Sequence, residues 1–461
     1  MIGPRVRARG ERCTSVTQVP CDLADEAKNA PKLMMTLFSA LLLSNAAHAA
    51  TLSVGPGETY TNITSAIAAA ASGDTIEVAP GTYAENLDLS GKDLDIVATS
   101  GPAVTTLSPA SSGSAVVIYD QGELGSLEGF SIFPPTDERA FFISNSSPVV
   151  TNCRIDGAGD WDSSWGGAVY VSSGSPTFDQ MEFSNSEGAR GADLYAAAGA
   201  NVTISNSTFE DSAGKYGGNI YVLDAAVTLS NTTSTAPYSQ YSGGFAFLDG
   251  ATMTLSNVTV EEPTGDTSQG LGIFATDRSI IAWIGGGVSE AEAASPSYSG
   301  GALYLEDSTT FTGSDLVFQE NTAYNGGAME VTDGSSANLT NVTFEGNVAS
   351  RAGGGLRASS SAEVNCNGCY FDSNEADRGG AVDVSGESTF TDVGGTYTDN
   401  AATTQDGGAI RVFTDGELSV SGAVFEGNES EQAGGAIYLY QPDEAVFISL
   451  TQFQNNVAAT G

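Results

Sequence analysis

The sequence predicts an all-β solenoid, a parallel β-helix, and three observations carry that prediction. Gly-Gly-Ala followed by an apolar residue keeps returning: Gly166-Gly167-Ala168-Val169, Gly300-Gly301-Ala302-Leu303, Gly326-Gly327-Ala328-Met329, Gly379-Gly380-Ala381-Val382, Gly407-Gly408-Ala409-Ile410 and Gly434-Gly435-Ala436-Ile437. Towards the C-terminus the copies sit 26 to 28 residues apart, and a fixed period of that size marks a stacked-coil architecture. A second signal runs in step with it, as Phe318-x-x-Asn321, Phe344-x-x-Asn347, Phe371-x-x-Asn374, Phe425-x-x-Asn428 and Phe453-x-x-Asn456, with Tyr397-x-x-Asn400 as the variant copy. The composition agrees: 56 glycines and only 16% charged residues, with no long run of helix formers.

The elements follow in order. Lys32 precedes the apolar run Leu33–Leu43, and Ala47-His48-Ala49 supplies a small-x-small cleavage signal, so residues 1–50 read as a leader plus signal peptide. The run is too short to span a bilayer as a helix. Removing this segment takes away six Lys/Arg and four Asp/Glu of the 16 and 56 present, leaving 10 basic and 52 acidic residues, a net of −42. Such a surface repels nucleic-acid phosphates and anionic headgroups. His48 is the only histidine, so the exported chain has no histidine base and no histidine metal ligand.

Residues 51–100 read as an N-terminal cap and the first coils. Ile63–Ala71 is the one helical stretch, with Thr61 or Asn62 placed to cap it. A solenoid needs its open apolar end covered, and a short amphipathic helix does this. Thr75–Val78, Leu87–Leu89 and Leu94–Val97 follow as short alternating strands. Residues 101–461 read as the β-helix proper, most regular over 166–461 and ending in mid-array. Each coil is about three short strands, none able to form a sheet alone. Stacking pairs each strand with its copy above and below at about 4.8 Å, so roughly 15 coils make a rod on the order of 70 Å long. Equivalent Phe rings then stack in the core and equivalent Asn amides form a ladder at a turn.

The paired Gly-Gly-Ala and Phe-x-x-Asn signals over residues 166–461 resemble the polymorphic outer-membrane protein repeats of bacterial surface autotransporters, and the N-terminal part resembles the broader pectin-lyase-like superfamily. The resemblance implies a right-handed helix and a surface passenger, often adhesive. That family ends in a transmembrane barrel, whereas nothing after Gly434 alternates as barrel strands do. Enzyme relatives on this fold cut polysaccharides, but no adjacent Asp-Asp, Gly-His-Gly or Arg-x-Lys of the pectin-hydrolase kind occurs.

Four groups of residues are candidate sites. The residue after Gly-Gly-Ala-apolar alternates outward from its apolar neighbours. Down the array that column reads Tyr170, Tyr195, Tyr221, Phe247, Phe274 and Tyr304, then Glu330, Arg357, Asp383 and Arg411, then Tyr438. The rings are either a stripe for stacking sugars or a self-stacking spine. The charges read as a surface salt-bridge ladder. Asp156, Asp160 and Asp162 form an acidic, glycine-rich turn that suits Ca²⁺, beside Trp161 and Trp165, the best local ligand-loop candidates. Cys366 and Cys369 are either a local disulfide or two free thiols, and Cys153 is a lone core residue. Asn-x-Thr triplets follow from the coil pattern rather than from glycosylation. The expected function is that of an exported, surface or secreted, monomeric rod that binds polysaccharides or cell-surface glycans without catalysis. It needs no cofactor, binds no nucleic acid and does not insert into a membrane. The alternatives are a polysaccharide lyase or glycoside hydrolase and a purely structural stalk.

Overall fold

The computed structural model describes residues 49–109, 111–120, 125–267, 269–293, 299–442 and 446–460; the leader, His48, Cys13 and Cys21 lie outside them. The described chain is a right-handed β-solenoid of about 15 turns with a single short helix near its N-terminus. One coil shows the plan: Met329–Val331, then Ser336–Thr340 and Thr343–Glu345, then Val348–Ala352, then Gly353 at the start of the next. Each segment pairs in parallel with its copies in neighbouring coils. Among the described residues this gives a 14-stranded Gly-Gly-Ala sheet, a 27-stranded long sheet with up to two segments per coil, and a 12-stranded short sheet.

The repeated residues explain the bends. Between the short sheet and the Gly-Gly-Ala sheet the chain turns within two residues. Gly326 has φ 53°, and a Cβ there would lie 2.2 Å from the Met329 carbonyl oxygen. A Cβ on Gly327 would lie 2.2 Å from the Gly354 oxygen of the next coil. The first glycine is fixed by its left-handed backbone and the second by close approach of stacked coils. Within the long sheet the corner falls on left-handed Asn231, Asn257, Asp315 and Asn341, residue types that tolerate that conformation.

The core is columnar. Phe318, Phe344, Phe371, Tyr397, Phe425 and Phe453 stack at centroid spacings of 4.4 to 5.4 Å. Beside them Asn321, Asn347, Asn374, Asn400, Asn428 and Asn456 form the expected ladder. Each Nδ2 donates to the next Oδ1 at 2.7 to 2.9 Å and also to a backbone oxygen, as Asn374 does to Phe344. Burial of each of the five interior rings, Phe318 to Phe425, contributes about 2–3 kcal/mol, and each rung keeps a buried amide from going unpaired, which costs about 1–3 kcal/mol.

The helix runs Ile63–Ala69 and is capped by Asn62, whose Oδ1 accepts from Ser65 N at 2.8 Å. Glu85 accepts from the free N–H groups of Ile63 and Thr64, and Lys92 donates to the Ile67 and Ala70 carbonyls at the other end, so both ends of the helix dipole meet opposite charge. Ile63, Ala66 and Ile67 are buried over the first coil. In the last described coil Phe447, Leu450 and Phe453 are exposed.

Candidate functional site

The outward column lies where the alternation places it, on the Gly-Gly-Ala sheet, and without slippage: Tyr170↔Tyr195↔Tyr221↔Phe247↔Phe274↔Tyr304↔Glu330↔Arg357↔Asp383↔Arg411↔Tyr438 are direct strand neighbours. It is not an open surface. Tyr195 is 1% exposed, Tyr221, Phe274 and Tyr304 are buried, and Tyr170 and Phe247 are partly covered. The rings form one stack from Phe142 to Tyr304, with centroids 4.8 to 5.4 Å apart and planes within about 21°. This is the self-stacking spine. The cause is the two-glycine turn, which folds the end of the short sheet back over the column. Phe142 extends the stack but escapes the motif, because its coil has no Gly-Gly-Ala copy.

A covering row lies over this stack and reaches the surface. The short-sheet register places Trp165, Arg190 and Tyr216 side by side, with Tyr241 packed on Tyr216 at 5.1 Å. Trp165 is 43% and Tyr241 40% exposed. Trp165 lies 5.3 Å from the Tyr195 ring. The Arg190 guanidinium sits 4.7 Å from the Trp165 ring and 5.2 Å from that of Tyr221, and Tyr216 meets Phe247 edge to face at 5.6 Å. Trp165 is thus pinned from beneath by buried Tyr195, and Tyr241 is held by half-buried Tyr216, so that much of their rotamer freedom is already spent. Of these residues sequence reasoning singled out Trp161 and Trp165 but missed Arg190, Tyr216 and Tyr241, whose short-sheet positions carry no repeated motif and shift register at bulges.

The segment expected as an acidic turn is the strand Gly159–Trp165, bulged between Asp160 and Trp165. The bulge carries Trp161 along the short sheet to Tyr238, 5.9 Å away, and Asp162 to Lys215 at 2.8 Å. The three carboxylates do not converge. Asp156 accepts from Ser184 and Asn185, and Asp160 accepts from Ser163, whose side-chain bond holds its carboxyl below the usual range. Among the described residues no three His, Cys, Asp or Glu groups gather into a metal site, Asp156, Asp160 and Asp162 included.

The charge ladder is also corrected, from surface to interior. Asp383 is 1% exposed, and Glu330 and Arg411 are buried. Arg411 Nη1 lies 2.8 Å from Asp383 Oδ2, while Arg357 and Arg378 Nε lie 3.8 and 3.9 Å from the same carboxylate. Arg357 also pairs with Glu330. Burial pushes the Glu330 carboxyl up, opposed by Arg357. The same turn that hides the rings hides these charges, and each acid survives by facing an arginine. Cys366 and Cys369 are free and buried, so the disulfide alternative is not the one adopted. Both side chains face the core, where burial raises the Cys366 thiol well above its ordinary value.

Two core carboxylates carry no sequence signal. Asp193 takes the alanine position of a degenerate Gly-Gly-Ala copy, bonded to Ser212 at 3.0 Å and Asn219 at 2.8 Å. Asp392 faces inward between Cys366 and Val420 and accepts from Gly395 N. Burial drives both to about 7.

Several solved structures are similar to the chain at low identity. A glycoside hydrolase family 87 α-1,3-glucanase catalytic domain in complex with nigerose is 12% identical, with TM-score 0.40, covering 87% of this chain and 68% of that one. A family PL6 alginate lyase is 11% identical, with TM-score 0.33 and coverages of 85% and 79%. The A-module of a mannuronan C-5 epimerase from Azotobacter vinelandii is 11% identical, with TM-score 0.27 and coverages of 86% and 93%. No curated protein matches the chain. The family model described as right handed beta helix region matches residues 139–458. The chain belongs to that family.

Proposed function

We propose that this right-handed β-helix protein is an exported glycan-binding protein of adhesin type, displayed or secreted, that binds through the exposed row over its buried ring stack. The observation that carries this reading is the row Trp165–Arg190–Tyr216–Tyr241. Flat rings with polar tips stack on sugar faces, and a guanidinium between them donates to hydroxyls or carboxylates. Pre-ordering by the stack beneath removes the entropy that free aromatic side chains lose on binding. The repeat pattern over 166–461 supports the finer assignment to a polymorphic outer-membrane protein type of passenger, and the N-terminal leader supports export. Absence of histidine beyond His48 and dispersal of the bulge carboxylates favour binding over bond cleavage.

The test is a glycan array run beside a reducing-sugar release assay. Wild type should bind a defined glycan set without releasing new ends. The Trp165→Ala/Tyr241→Ala variant should lose about tenfold or more in affinity, since two ring contacts each contribute about 0.5–1.5 kcal/mol beyond area. Unchanged binding by that variant would remove the row as the site. New reducing ends abolished by one carboxylate substitution would make the protein a lyase or hydrolase instead, and binding to nothing would leave a structural stalk.

A further inference from the structure

A different face of the rod has a composition that strand formation does not explain. Six consecutive coils of the long sheet, Asn201–Ser205, Ala226–Ser230, Thr252–Ser256, Ile280–Ile284, Thr310–Ser314 and Ser336–Thr340, pair residue for residue. Three positions per strand point outward. The first column reads Asn201, Ala226, Thr252, Ile280, Thr310, Ser336. The second reads Thr203, Thr228, Thr254, Ala282, Thr312, Asn338, and the third Ser205, Ser230, Ser256, Ile284, Ser314, Thr340.

None of these positions is charged, in a chain with 56 Asp and Glu. Strand propensity favours threonine but does not exclude acids: the same columns carry Asp179 in the preceding coil and Glu363 and Glu417 in later ones. Twelve of the positions bear hydroxyls. Among the described residues those of Thr203, Thr228, Thr254 and Thr312 have no protein partner. Two isoleucines, Ile280 and Ile284, stand 53% and 59% exposed in the middle of the grid, where a soluble acidic surface has no need of them.

We propose that this face binds ice. The ligand must be uncharged, flat and periodic, because the face is. Stacked strands repeat hydroxyls and methyls at about 4.8 Å along the rod. Water oxygens bonded tetrahedrally at about 2.75 Å place second neighbours about 4.5 Å apart, close enough for flexible hydroxyls to register over several coils. Threonine brings a hydroxyl that enters the lattice and a methyl that orders the water beside it, and the outward isoleucines add apolar area. The grid covers on the order of 500 Å². A crystalline sugar surface is the less fitting occupant, since no aromatic ring stands on the grid and sugar faces are met by rings. The acidic remainder of the molecule, including Glu210 and Glu261 beyond the corner of the same sheet, keeps the other faces in liquid water.

The experiment grows ice slowly from a solution of the full chain bearing a fluorescent label, alongside microscopy of ice recrystallisation. Wild type should concentrate in the ice and suppress crystal coarsening. Thr228→Lys/Thr254→Lys puts two charges on outward positions, one half-buried and one exposed, and should cut incorporation about tenfold, because a charge facing an uncharged lattice is left unpaired. Ile284→Lys, a single exposed change in the same grid, gives a second variant should the first fail to fold. Trp165→Ala, on the other face, should leave ice binding intact, so that failure of the glycan reading and failure of this one are separable. Exclusion of wild type from ice overturns the proposal, as does incorporation of the lysine variants at the wild-type level. Adsorption to crystalline chitin without adsorption to ice also overturns it and assigns the face to a sugar lattice.

Discussion

The coils before residue 305 and those after residue 318 share a backbone plan but fill it differently. In the earlier coils the covered outward column is rings, Tyr170 to Tyr304, and the inner corner holds Ser186 and Ser212, helped by Asp193 and Asn219. In the later coils the same outward column holds Glu330, Arg357, Asp383 and Arg411, and the inner corner holds an unbroken asparagine ladder. Pro237, Pro263 and Ala291 occupy that corner between the two regimes. An asparagine spans one coil and bonds its own copy, so it repeats indefinitely. A serine is too short for that role, so the earlier coils recruit an aspartate and an asparagine from across the core. One architecture thus tolerates two chemical solutions, and each solution fails in its own way.

The largest expected effect tests the charged column. Asp383→Ala leaves three arginines around an empty position and should destabilise by about 3–5 kcal/mol, read by chemical denaturation. Rewriting Glu330, Arg357, Asp383 and Arg411 together as tyrosine extends the earlier pattern and should be neutral or stabilising, by about 1–4 kcal/mol. A loss of several kcal/mol in that rewrite would show that the two fillings are not interchangeable.

The next effect separates the regions by pH. The buried Asp193 carboxyl has its pKa raised to about 7, above an unfolded value near 3.9. Its contribution is therefore fully present below about pH 4 and is lost as pH rises to about 7, on the order of 4 kcal/mol at most. Asp193→Asn should flatten that part of the stability profile and leave the Asp392 contribution, which has the same sign and range. An unchanged profile would count against a buried carboxyl titrating there.

The smallest effect compares the two inner corners. Asn374→Ala orphans a rung above and below and should cost about 2 kcal/mol, whereas Ser212→Ala should cost about 1 kcal/mol. Equal costs would mean that the ladder adds nothing beyond its individual bonds.

The repeat was legible because a solenoid writes its period directly into the chain: the glycines, Phe344 and its copies, and Asn347 and its copies fell where spacing put them. Alternation along one strand correctly sent Tyr195 and Asp383 away from the core. It could not reveal that the neighbouring sheet folds over them, since that depends on the next turn rather than on the strand. For the same reason the exposed row was only partly visible: Trp165 stands out by its type, but Arg190 comes beside it, and Tyr241 beside Tyr216, only across bulges. Asp193 and Asp392 sit at positions that other coils give to alanine, asparagine, cysteine or valine, so no pattern marked them.

The asparagine ladder has one further consequence. Every rung donates toward the higher-numbered neighbour, from Asn321 to Asn456, while the Oδ1 of Asn321 accepts from the backbone N–H of Ala291. The amide dipoles are therefore parallel and reinforce one another, as peptide units do in a helix. The ladder therefore has an electrical direction that its near-identical coils conceal, each rung turning its amide nitrogen toward the higher-numbered coil and its oxygen toward the lower.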